Sequence, residues 1–549
     1  MNPGLALRLY CTALLLLPPL AWADAESARR GEPLYQQRCL ICHGAEGRGV
    51  PAVFPPLAES DWLVKQRERT IRALCEGLSG KIRVNGVDYE GSMPAQALDD
   101  REAADVLNYV GTSWGNAVAP FTPDEIKAVR AKTRFPSYEV LVRASAYQPL
   151  PTPPAGYEVR EVLRLPEGEF GTRLAGDGRS PTVYLLTQAG AVWRLQADTG
   201  ALEKIFAAGD YLDVKRGGIS ALGLCLGPDG ALWISTNQQI KRADDFPLNE
   251  VVIHRTRPIG PDGKVEKPEP WLTHDYPHGG GFNHGVSHLA FGPDGFLYVS
   301  SGSRTDGGEK PPNHPNSPPG EVPTTACLWR LDPKAQTPKI EVLGPGLRNA
   351  YGFAWDGAGR LFTVSNGPDA NAPEEMDHIE PGKHYGFPYQ FADWTNEPGK
   401  PYAHTPAPPE GVIFTLPVKN LGPAGGAKDK AISTFDPHSS PGGLIWCGDD
   451  FAPPLKNAFL VTRYGNLLGA DRTGISEDVG FDVLAMRLER DGENGWKATT
   501  ESVLAPLGRP IDVLQVGPGR ALILEYTRPT NFKDGLGWLS GRVIELRVK

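Results

Sequence analysis

Gly227-Pro228-Asp229-Gly230-Ala231-Leu232-Trp233-Ile234-Ser235 sets the architecture of most of this 549-residue chain. A tight Asp-Gly turn precedes an apolar strand, which is the pattern of a β-hairpin. Similar segments follow at 292–300, 356–365 and 517–524, and weaker copies occur at 176–187 and 448–462. Hairpins that recur roughly every 50 to 90 residues favour radial blades of four strands over a solenoid. The sequence therefore predicts a six-bladed β-propeller over residues 155–549, with a sandwich of coincidentally similar hairpins as the alternative.

Arg38-Cys39-Leu40-Ile41-Cys42-His43-Gly44 marks a different kind of site upstream of these hairpins. Two cysteines separated by two residues and followed at once by histidine suit covalent haem attachment, because both sulfurs join one haem edge and the imidazole ligates the iron. A zinc site would need a second pair of ligands, and a redox dithiol is not usually followed directly by histidine. The motif predicts one covalently bound haem c.

The sixth iron ligand can be found by elimination. The chain has 4 methionines, and Met93 is the only one in the N-terminal region once Met1 leaves with the leader. It lies in Gly91-Ser92-Met93-Pro94, a sequence typical of a turn. Residues 24–116 resemble the class I cytochrome c family, a small all-α fold whose haem positions match Cys39, Cys42, His43 and Met93.

The first 23 residues have the pattern of a cleaved export signal. Arg8 supplies a short positive region, an apolar stretch includes residues 14–17, and Ala21-Trp22-Ala23 forms a cleavage site before Asp24. Export together with covalent haem predicts a periplasmic protein. No later apolar run of about 18 residues is present, so no membrane span is expected after the signal is removed.

The charge balance excludes some partners. A net charge of -9 and a pI near 5.8 argue against nucleic acid or an anionic membrane surface. A small neutral molecule and a redox protein remain as candidate partners. Outside the haem motif and the leader, the remaining cysteines are Cys75, Cys225, Cys327 and Cys447. The compartment permits a disulfide, but Cys225 and Cys447 are more simply interpreted as buried strand thiols, and we assign no bridge.

Three helices are predicted around the haem motif. One spans about Ser27 to Gln37, although Gly31 and Pro33 oppose it, and a clearer one starts at Asp99 and runs to Trp114. A shorter helix, capped by Thr122, opens residues 117–154, which otherwise have the proline-spaced composition of a linker.

Two polar segments lie between predicted blades, at 279–288 and 347–369. Propellers bind ligands over the central channel on such loops. Glycines crowded around His284 would let a flat ligand approach the backbone. The alternative is that His284 is an ordinary surface side chain, as most loop histidines are.

Residues 155–549 resemble the glucose/sorbosone dehydrogenase family, whose members use pyrroloquinoline quinone (PQQ). The resemblance rests on Gly346-Leu347-Arg348-Asn349, Asn366-Gly367-Pro368, the segment 375–388, Pro437-His438-Ser439-Ser440-Pro441 and Gly508-Arg509-Pro510. It implies that His284 is the general base, while Arg348 and Asn349 hold the quinone oxygens. It further implies PQQ contacts from Asn366, Arg463 and Arg509, a calcium ion on the carbonyls of Gly367 and Pro368, and a second calcium at Glu375 and Tyr385.

The chain departs from this family at the cofactor positions. Asn366 stands where soluble glucose enzymes have glutamine, Arg463 matches their lysine approximately, and Ile511 replaces a second arginine. A glutamine expected near Gly217-Gly218 is missing. Because PQQ carries three carboxylates, each lost cation or amide weakens its expected binding. Inserts at 306–325 and 397–430 are expected to rim the pocket.

The two modules together predict a periplasmic quinohaemoprotein dehydrogenase. The propeller would oxidise a sugar, polyol or aldehyde, and the haem would pass single electrons to a soluble cytochrome, a copper protein or an oxidase. One alternative is a calcium-dependent propeller hydrolase of the lactonase kind. The other is a non-catalytic electron-transfer module with a binding propeller.

Overall fold

The computed structural model describes residues 20–50, 54–93, 96, 98–132, 147–166, 169–240, 247–279, 283–310, 317–395, 406–424, 433–466, 479–493, 495–527 and 540–549. Most of the predicted export signal, Pro94, residues 280–282 and parts of both predicted pocket inserts lie outside these ranges. None of the helices described there is long and apolar enough to cross a membrane.

The N-terminal part of the chain forms a helical unit with one β-hairpin. Its elements are α1 (Leu20–Arg38), α2 (Leu40–His43), α3 (Asp61–Lys65), α4 (Arg67–Glu76), β1 (Leu78–Val84), β2 (Val87–Met93), α5 (Asp100–Thr112) and α6 (Pro123–Lys132).

Helices α1 and α5 cross closely, and Gly31 makes the crossing possible. A Cβ at Gly31 would lie 1.9 Å from the carbonyl oxygen of Asp105, so a larger residue would push the helices apart. The predicted helix over Ser27 to Gln37 is thus confirmed, and the glycine that opposed it serves helix packing. Arg30 reaches across the crossing to Asp105, with 2.7 Å between Nε and Oδ2.

The start of α5 agrees with the sequence. Asp99 accepts a hydrogen bond from the Glu102 amide at 2.7 Å, and the Glu102 carboxylate accepts one from the Asp99 amide at 2.9 Å, which completes a capping box. Helix α6, whose first turn is capped by Thr122, buries Ile126 and Val129 in the same core as α5. The first part of the predicted linker therefore packs with the helical unit.

Met93 does not lie in a turn, as its neighbours suggested. It is the last residue of β2 and pairs with Leu78 of β1, and the turn lies earlier, at Asn85-Gly86. Asn85 and Gly86 both have positive φ, at 50° and 80°, which asparagine and glycine tolerate best. Pairing with β1 extends β2 through Gly91, Ser92 and Met93, although the local composition favours a turn there. Because of this hairpin, the N-terminal unit is not the all-α domain that the sequence predicts.

The rest of the described chain is a six-bladed β-propeller, as predicted. Blade 1 contains β4 (Gly171–Ala175), β5 (Thr182–Thr187), β6 (Val192–Gln196) and β7 (Ala201–Phe206), blade 2 contains β8 (Ile219–Leu226), β9 (Leu232–Ile240), β10 (Leu248–Arg255) and β11 (Glu269–Pro277), and blade 3 contains β12 (Val286–Phe291), β13 (Leu297–Ser301), β14 (Cys327–Leu331) and β15 (Glu341–Leu343).

The remaining blades differ more from one another. Blade 4 contains β16 (Ala350–Trp355), β17 (Leu361–Ser365) and β18 (Glu375–Ile379), followed by a hairpin of β19 (Gln390–Phe391) and β20 (Trp394–Thr395), blade 5 contains β21 (Lys419–Asn420), β22 (Pro441–Cys447), β23 (Ala458–Arg463), β24 (Asp482–Asp491) and β25 (Gly495–Leu504), and blade 6 contains β26 (Arg509–Gly517), β27 (Arg520–Tyr526), β28 (Arg542–Val548) and β3 (Tyr157–Arg164).

The ring closes in two ways. The first strands of the blades contact one another in the cycle β4, β8, β12, β16, β22, β26 and back to β4. Blade 6 pairs β3, which comes first in the propeller sequence, with β28, which comes last. Closure between the two ends of a propeller protects the sheet edges that an open ring would expose.

The six predicted hairpin turns fall one to a blade, between its first and second strands. In three of them the turn aspartate also pairs with an arginine of its own blade: Asp229 with Arg255, Asp294 with Arg330, and Asp356 with Arg360. The same aspartates accept backbone amides of the turn. Asp229 and Asp294 thereby fix both the turn and a strand of the blade, whereas Asp356 binds Arg360 within the turn itself. The described cysteines are free.

Candidate active site

The predicted propeller residues gather at one face of the ring. First strands of all blades start at this face, because the blades share one topology: β12 starts two residues after His284, β16 directly after Asn349, and β26 at Arg509. Second strands run antiparallel and end there, as β23 does at Arg463. We call this the site face, and it carries His284, Arg348, Asn349, Asn366, Gly367, Pro368, Arg463 and Arg509.

His284 is half-buried, with one ring nitrogen held by Ser303. Its Nδ1 lies 3.2 Å from the Ser303 carbonyl oxygen and 3.1 Å from Ser303 Oγ, and that hydroxyl donates to the carbonyl of Thr305 at 2.7 Å. Because the carbonyl can only accept and the hydroxyl proton is already used, we assign the proton to Nδ1 of His284. The lone pair then lies on Nε2, where a base needs it.

Burial and the neighbouring charge of Arg348 lower the pKa of His284 to about 3. The ring is therefore neutral at physiological pH. Gly302 keeps it close to Asn349, since a Cβ at Gly302 would lie 2.6 Å from His284 Cβ and 3.0 Å from Asn349 Oδ1. The structure thus brings together the predicted base and a predicted cofactor ligand.

Arg348 is buried and held by the loop after β13. Its Nη2 donates to Asp306 Oδ1, its Nε donates to the Asp306 carbonyl at 3.1 Å, and its Nη1 donates to the carbonyl of Gly367 at 2.5 Å. The guanidinium is thereby fixed in place with its charge partly balanced. The same contact places a cation on one of the two carbonyls predicted to bind calcium.

Asn366 leaves a polar atom without a partner on the site face. Its Oδ1 is buried and has no hydrogen bond within the described part of the chain, and the same is true of Asn283 Oδ1 on the neighbouring loop. Buried polar atoms are rarely left unsatisfied unless a ligand or water completes them. These two amides therefore indicate a ligand-binding region between blades 3 and 4.

Arg463 and Arg509, the other predicted cofactor cations, are buried. Arg463 forms two parallel hydrogen bonds of 2.8 Å with Asp482, while its Nη1 makes none among the described residues. Arg509 packs against the Tyr464 ring and points its guanidinium at backbone carbonyls, including that of Gly465 at 3.3 Å. Both side chains are fixed mainly by the scaffold.

Glu374 is a site residue that the sequence did not reveal. It is buried, accepts hydrogen bonds from Ser439 Oγ at 2.9 Å and from the Ser440 amide at 2.5 Å, and lies within electrostatic reach of Arg348 and Arg463. Burial raises the pKa of Glu374 to about 8, so it carries a proton at neutral pH.

Below the site face the central channel is filled by an ion pair. Arg173 donates to Asp512 Oδ1 at 3.0 Å and its guanidinium lies 4.5 Å from the Tyr351 ring centroid. Both charged groups are almost fully buried. A ligand of the site face is therefore confined to the end of the channel that His284 occupies.

Glu375 lies in β18 with Asp377 two residues later, so both side chains point to the same side of the strand. Glu375 accepts a hydrogen bond from the Ala392 amide, whereas neither carboxylate oxygen of Asp377 has a partner among the described residues. Burial raises the pKa of Glu375 to about 7. Burial and the negative charge of Glu375 raise the pKa of Asp377 well above its usual value.

Such a pair is stable when a cation compensates it. Tyr385, the other residue predicted for this site, lies within electrostatic reach of Asp377, and its hydroxyl donates to the His378 carbonyl at 2.8 Å. No third carboxylate, histidine or cysteine joins the pair in the described ranges, so backbone oxygens and water would supply the remaining ligands. The alternation of Glu375 and Asp377 along one strand was the signal that could have found Asp377.

In the helical unit, the residues predicted to hold haem are close together. Cys39 is buried in the helical core, and Leu40 and Met93 pack against that core. His43 is buried, and its Nδ1 lies 3.0 Å from the Pro55 carbonyl oxygen. Since that oxygen can only accept, Nδ1 carries the proton and Nε2 is left for iron. The donor set fits a covalently attached haem.

Comparison with known proteins identifies the N-terminal unit. The cytochrome c family model matches residues 28–114. Cytochrome c-552 of Thermus thermophilus is 43% identical over 134 residues, which cover 23% of this chain and 87% of that protein. The chain belongs to the cytochrome c family. The cytochrome c subunit of an alcohol dehydrogenase (quinone) from Gluconacetobacter polyoxogenes is 32% identical over 88 residues, 16% of this chain and 19% of that subunit.

The propeller that follows the cytochrome c domain carries a second family match. The Glucose / Sorbosone dehydrogenase model matches residues 249–464, which run from β10 of blade 2 to the end of β23 in blade 5. Among solved structures, the PQQ-bound aldose sugar dehydrogenase of Streptomyces coelicolor aligns over 72% of this chain and 100% of that one, at 20% identity and a TM-score of 0.45. The chain thus joins a cytochrome c domain to a propeller that matches the Glucose / Sorbosone dehydrogenase family model over residues 249–464.

Proposed function

We propose that this protein is a periplasmic PQQ-dependent dehydrogenase that oxidises a sugar, polyol or aldehyde at the site face and passes electrons through haem c to an external acceptor. The single observation that carries the proposal is the geometry of His284. Its Nδ1 is held by Ser303, which leaves the lone pair on Nε2, and the fixed charge of Arg348 lies nearby, in a chain that also carries a cytochrome c domain.

The site face fits an anionic, oxygen-rich cofactor. Arg348, Arg463 and Arg509 supply three cations, and the Asn349 amide lies beside the base. The Nη1 of Arg463 makes no hydrogen bond within the described residues, although Asp436 Oδ2 lies 3.7 Å from it. Arginine suits carboxylates and quinone oxygens because its planar donors bind them in pairs. When bound there, PQQ would accept a hydride from the substrate carbon.

In this reaction His284 takes the proton of the substrate hydroxyl at Nε2, so the substrate loses a hydride and a proton in all and leaves as a carbonyl compound. Ser303 keeps the ring in the required tautomer throughout. Arg348 is already oriented by Asp306, and its charge stabilises negative charge that develops on a neighbouring oxygen without further reorganisation. Half-buried His284 and Asn349 leave the face open for a substrate to enter.

The cytochrome c domain supplies a one-electron acceptor. Cys39 and Cys42 would form the thioethers, and His43 and Met93 would be the axial ligands of the iron. A methionine ligand raises the haem potential and so favours electron acceptance. Fusion holds this acceptor at high effective concentration near the propeller. The predicted export signal supports the periplasm, where haem c is attached.

The two predicted calcium sites differ in how well the residues fit. At Gly367 the guanidinium of Arg348 already contacts the carbonyl, and a cation would have to compete with it, so we assign no calcium-dependent step there. At Glu375 the neighbouring carboxylate of Asp377 lacks a partner in the described ranges, which suits a hard cation. We propose that calcium binds at Glu375 and Asp377 and stabilises blade 4.

The experiment is reconstitution of purified haem-loaded protein with PQQ and calcium, followed by panels of aldoses, polyols, aldehydes and lactones. Dye reduction or haem reduction by an aldose is expected. Opening of a lactone ring without reduction would instead identify a hydrolase. No turnover with any compound would leave a binding propeller attached to an electron carrier, and the proposal would be wrong.

A further inference from the structure

The haem-binding segment contacts the propeller at Gly218. A Cβ at Gly218 would lie 1.7 Å from Leu40 Cδ2, so the glycine leaves the space into which the leucine side chain fits. Leu40 is the residue between the two haem cysteines that follows Cys39 directly. Thioether bonds at Cys39 and Cys42 would therefore fix one edge of the porphyrin within two residues of this contact.

Gly218 lies on the site face. It immediately precedes the first strand of blade 2. His284 and Arg348 each lie two residues before the start of the first strands of blades 3 and 4. Its neighbour Gly217 is equally restricted, because a Cβ there would lie 1.7 Å from the Gln239 carbonyl oxygen. Gly217 and Gly218 thus form a closely packed surface without side chains beside the candidate active site.

Hydrogen bonds connect this surface to the candidate base. Asn237 donates to the Ser220 carbonyl at 3.1 Å, two residues after Gly218, and to the Val286 carbonyl at 2.8 Å. Its Oδ1 accepts from the Val286 amide at 2.7 Å. Asn237 is buried, so it joins the starts of β8 and β12 rigidly. The contact point and His284 are therefore held in a fixed relation across blades 2 and 3.

We propose that the Leu40–Gly218 contact docks the haem edge of the cytochrome c domain over the site face and is the point at which electrons leave the propeller. The proposal rests on the proposed function for the source of the electrons. The two electrons of each substrate pass one at a time, each reducing one ferric haem to ferrous haem, and the accompanying protons go to solvent. An external one-electron acceptor must reoxidise the haem between the two transfers.

The test uses the full-length holoprotein with haem attached. Gly218→Leu places a large side chain where Leu40 packs, and Leu40→Ala removes the other half of the contact. Gly209→Leu is the matched control, because a Cβ at that exposed glycine meets nothing within 4 Å. In the double variant Leu40→Ala/Gly218→Ala, the methyl group at position 218 fills part of the space that the shortened side chain at position 40 leaves, so docking should be restored.

Two measurements are made on each variant: small-angle X-ray scattering of the oxidised protein, and the rate of haem reduction after mixing with PQQ-loaded enzyme and an aldose. Dye-linked oxidation of the same aldose confirms that each propeller is folded and active. Loss of one leucine contact should lower the equilibrium constant for docking about tenfold. The docked population and the rate of haem reduction should fall with it. The radius of gyration should increase in Gly218→Leu and Leu40→Ala and remain unchanged in Gly209→Leu.

Unchanged scattering and an unchanged haem-reduction rate in Gly218→Leu would overturn the proposal. A different result would overturn the proposed function: no reduction of haem or dye by any aldose in the unmodified holoprotein. The scattering measurement still tests the docking contact in that case, because it requires neither substrate nor PQQ.

Discussion

Replacing Glu375 with glutamine should stabilise the protein when calcium is absent. The carboxylate is buried beside Asp377, and burial raises its pKa from 4.5 to about 7. Glutamine has nearly the same shape and can still accept the hydrogen bond from the Ala392 amide. The substitution therefore removes a charge that the folded state disfavours while it keeps the local geometry.

The magnitude follows from the two pKa values. At pH 7 a carboxyl with a folded-state pKa of about 7 and an unfolded-state pKa near 4.5 costs the folded protein up to about 3 kcal/mol. The folded protein holds this proton more tightly than the unfolded chain does, so the calcium-free wild type loses stability as pH rises from about 4.5 to about 7. Glu375→Gln should accordingly gain stability at pH 7 and gain none at pH 4.

Calcium should reverse the order. It binds the ionised pair and stabilises the wild type by about 2.7 kcal/mol at a hundredfold excess over its Kd, whereas Glu375→Gln should respond weakly or not at all. The assay is urea unfolding followed by tryptophan fluorescence, with and without calcium, at both pH values. Glu489→Gln, an exposed change of the same charge in β24, is the control and should leave stability within about 0.5 kcal/mol. A calcium-free Glu375→Gln protein less stable than wild type at pH 7, or one that keeps the full calcium response, would refute the reasoning.

Three further outcomes follow from the site residues. His284→Gln should lower kcat for dye-linked aldose oxidation by about 10²–10⁴-fold with an unchanged haem spectrum, and a loss below tenfold would exclude His284 as the base. Met93→Ala should lower the haem potential measured by redox titration and leave the propeller's unfolding midpoint in place, and an unchanged potential would exclude Met93 as a ligand. Asp482→Asn should destabilise the protein in urea by about 3 kcal/mol, since buried Arg463 would lose the carboxylate that accepts its two parallel hydrogen bonds, and a neutral result would show that Asp436, 3.7 Å from Arg463 Nη1, compensates the charge.

Local sequence signals predicted most of the fold. A tight turn such as Asp229-Gly230 needs only its own residues to form, and the six recurring turns, four of them with Asp-Gly, placed the first and second strands of every blade correctly. The pairing of β3 with β28 joins residues nearly 390 positions apart (Tyr157 and Val548), for which no local pattern exists. The prediction that Met93 lies in a turn was wrong, because its pairing with Leu78 in the hairpin outweighed the turn preference of its neighbours.

The sequence predicted which residues form the site better than it predicted their hydrogen-bond and ion-pair partners. His284 and Arg348 could be singled out because family motifs surround them, and the fold then placed both on one face. Their partners could not, since the bond from Arg348 to Asp306 spans 42 residues and depends on how blades 3 and 4 pack. The contact of Leu40 with Gly218 joins two domains, and no rule of spacing or composition points to it.

The most direct test of the account is rapid mixing of the PQQ-loaded holoprotein with an aldose while the absorbance of the haem is followed. Electron transfer within one molecule predicts reduction of ferric to ferrous haem at a first-order rate that does not change with protein concentration. A rate that rises in proportion to protein concentration, or a haem that stays ferric while an added dye is reduced, would contradict it.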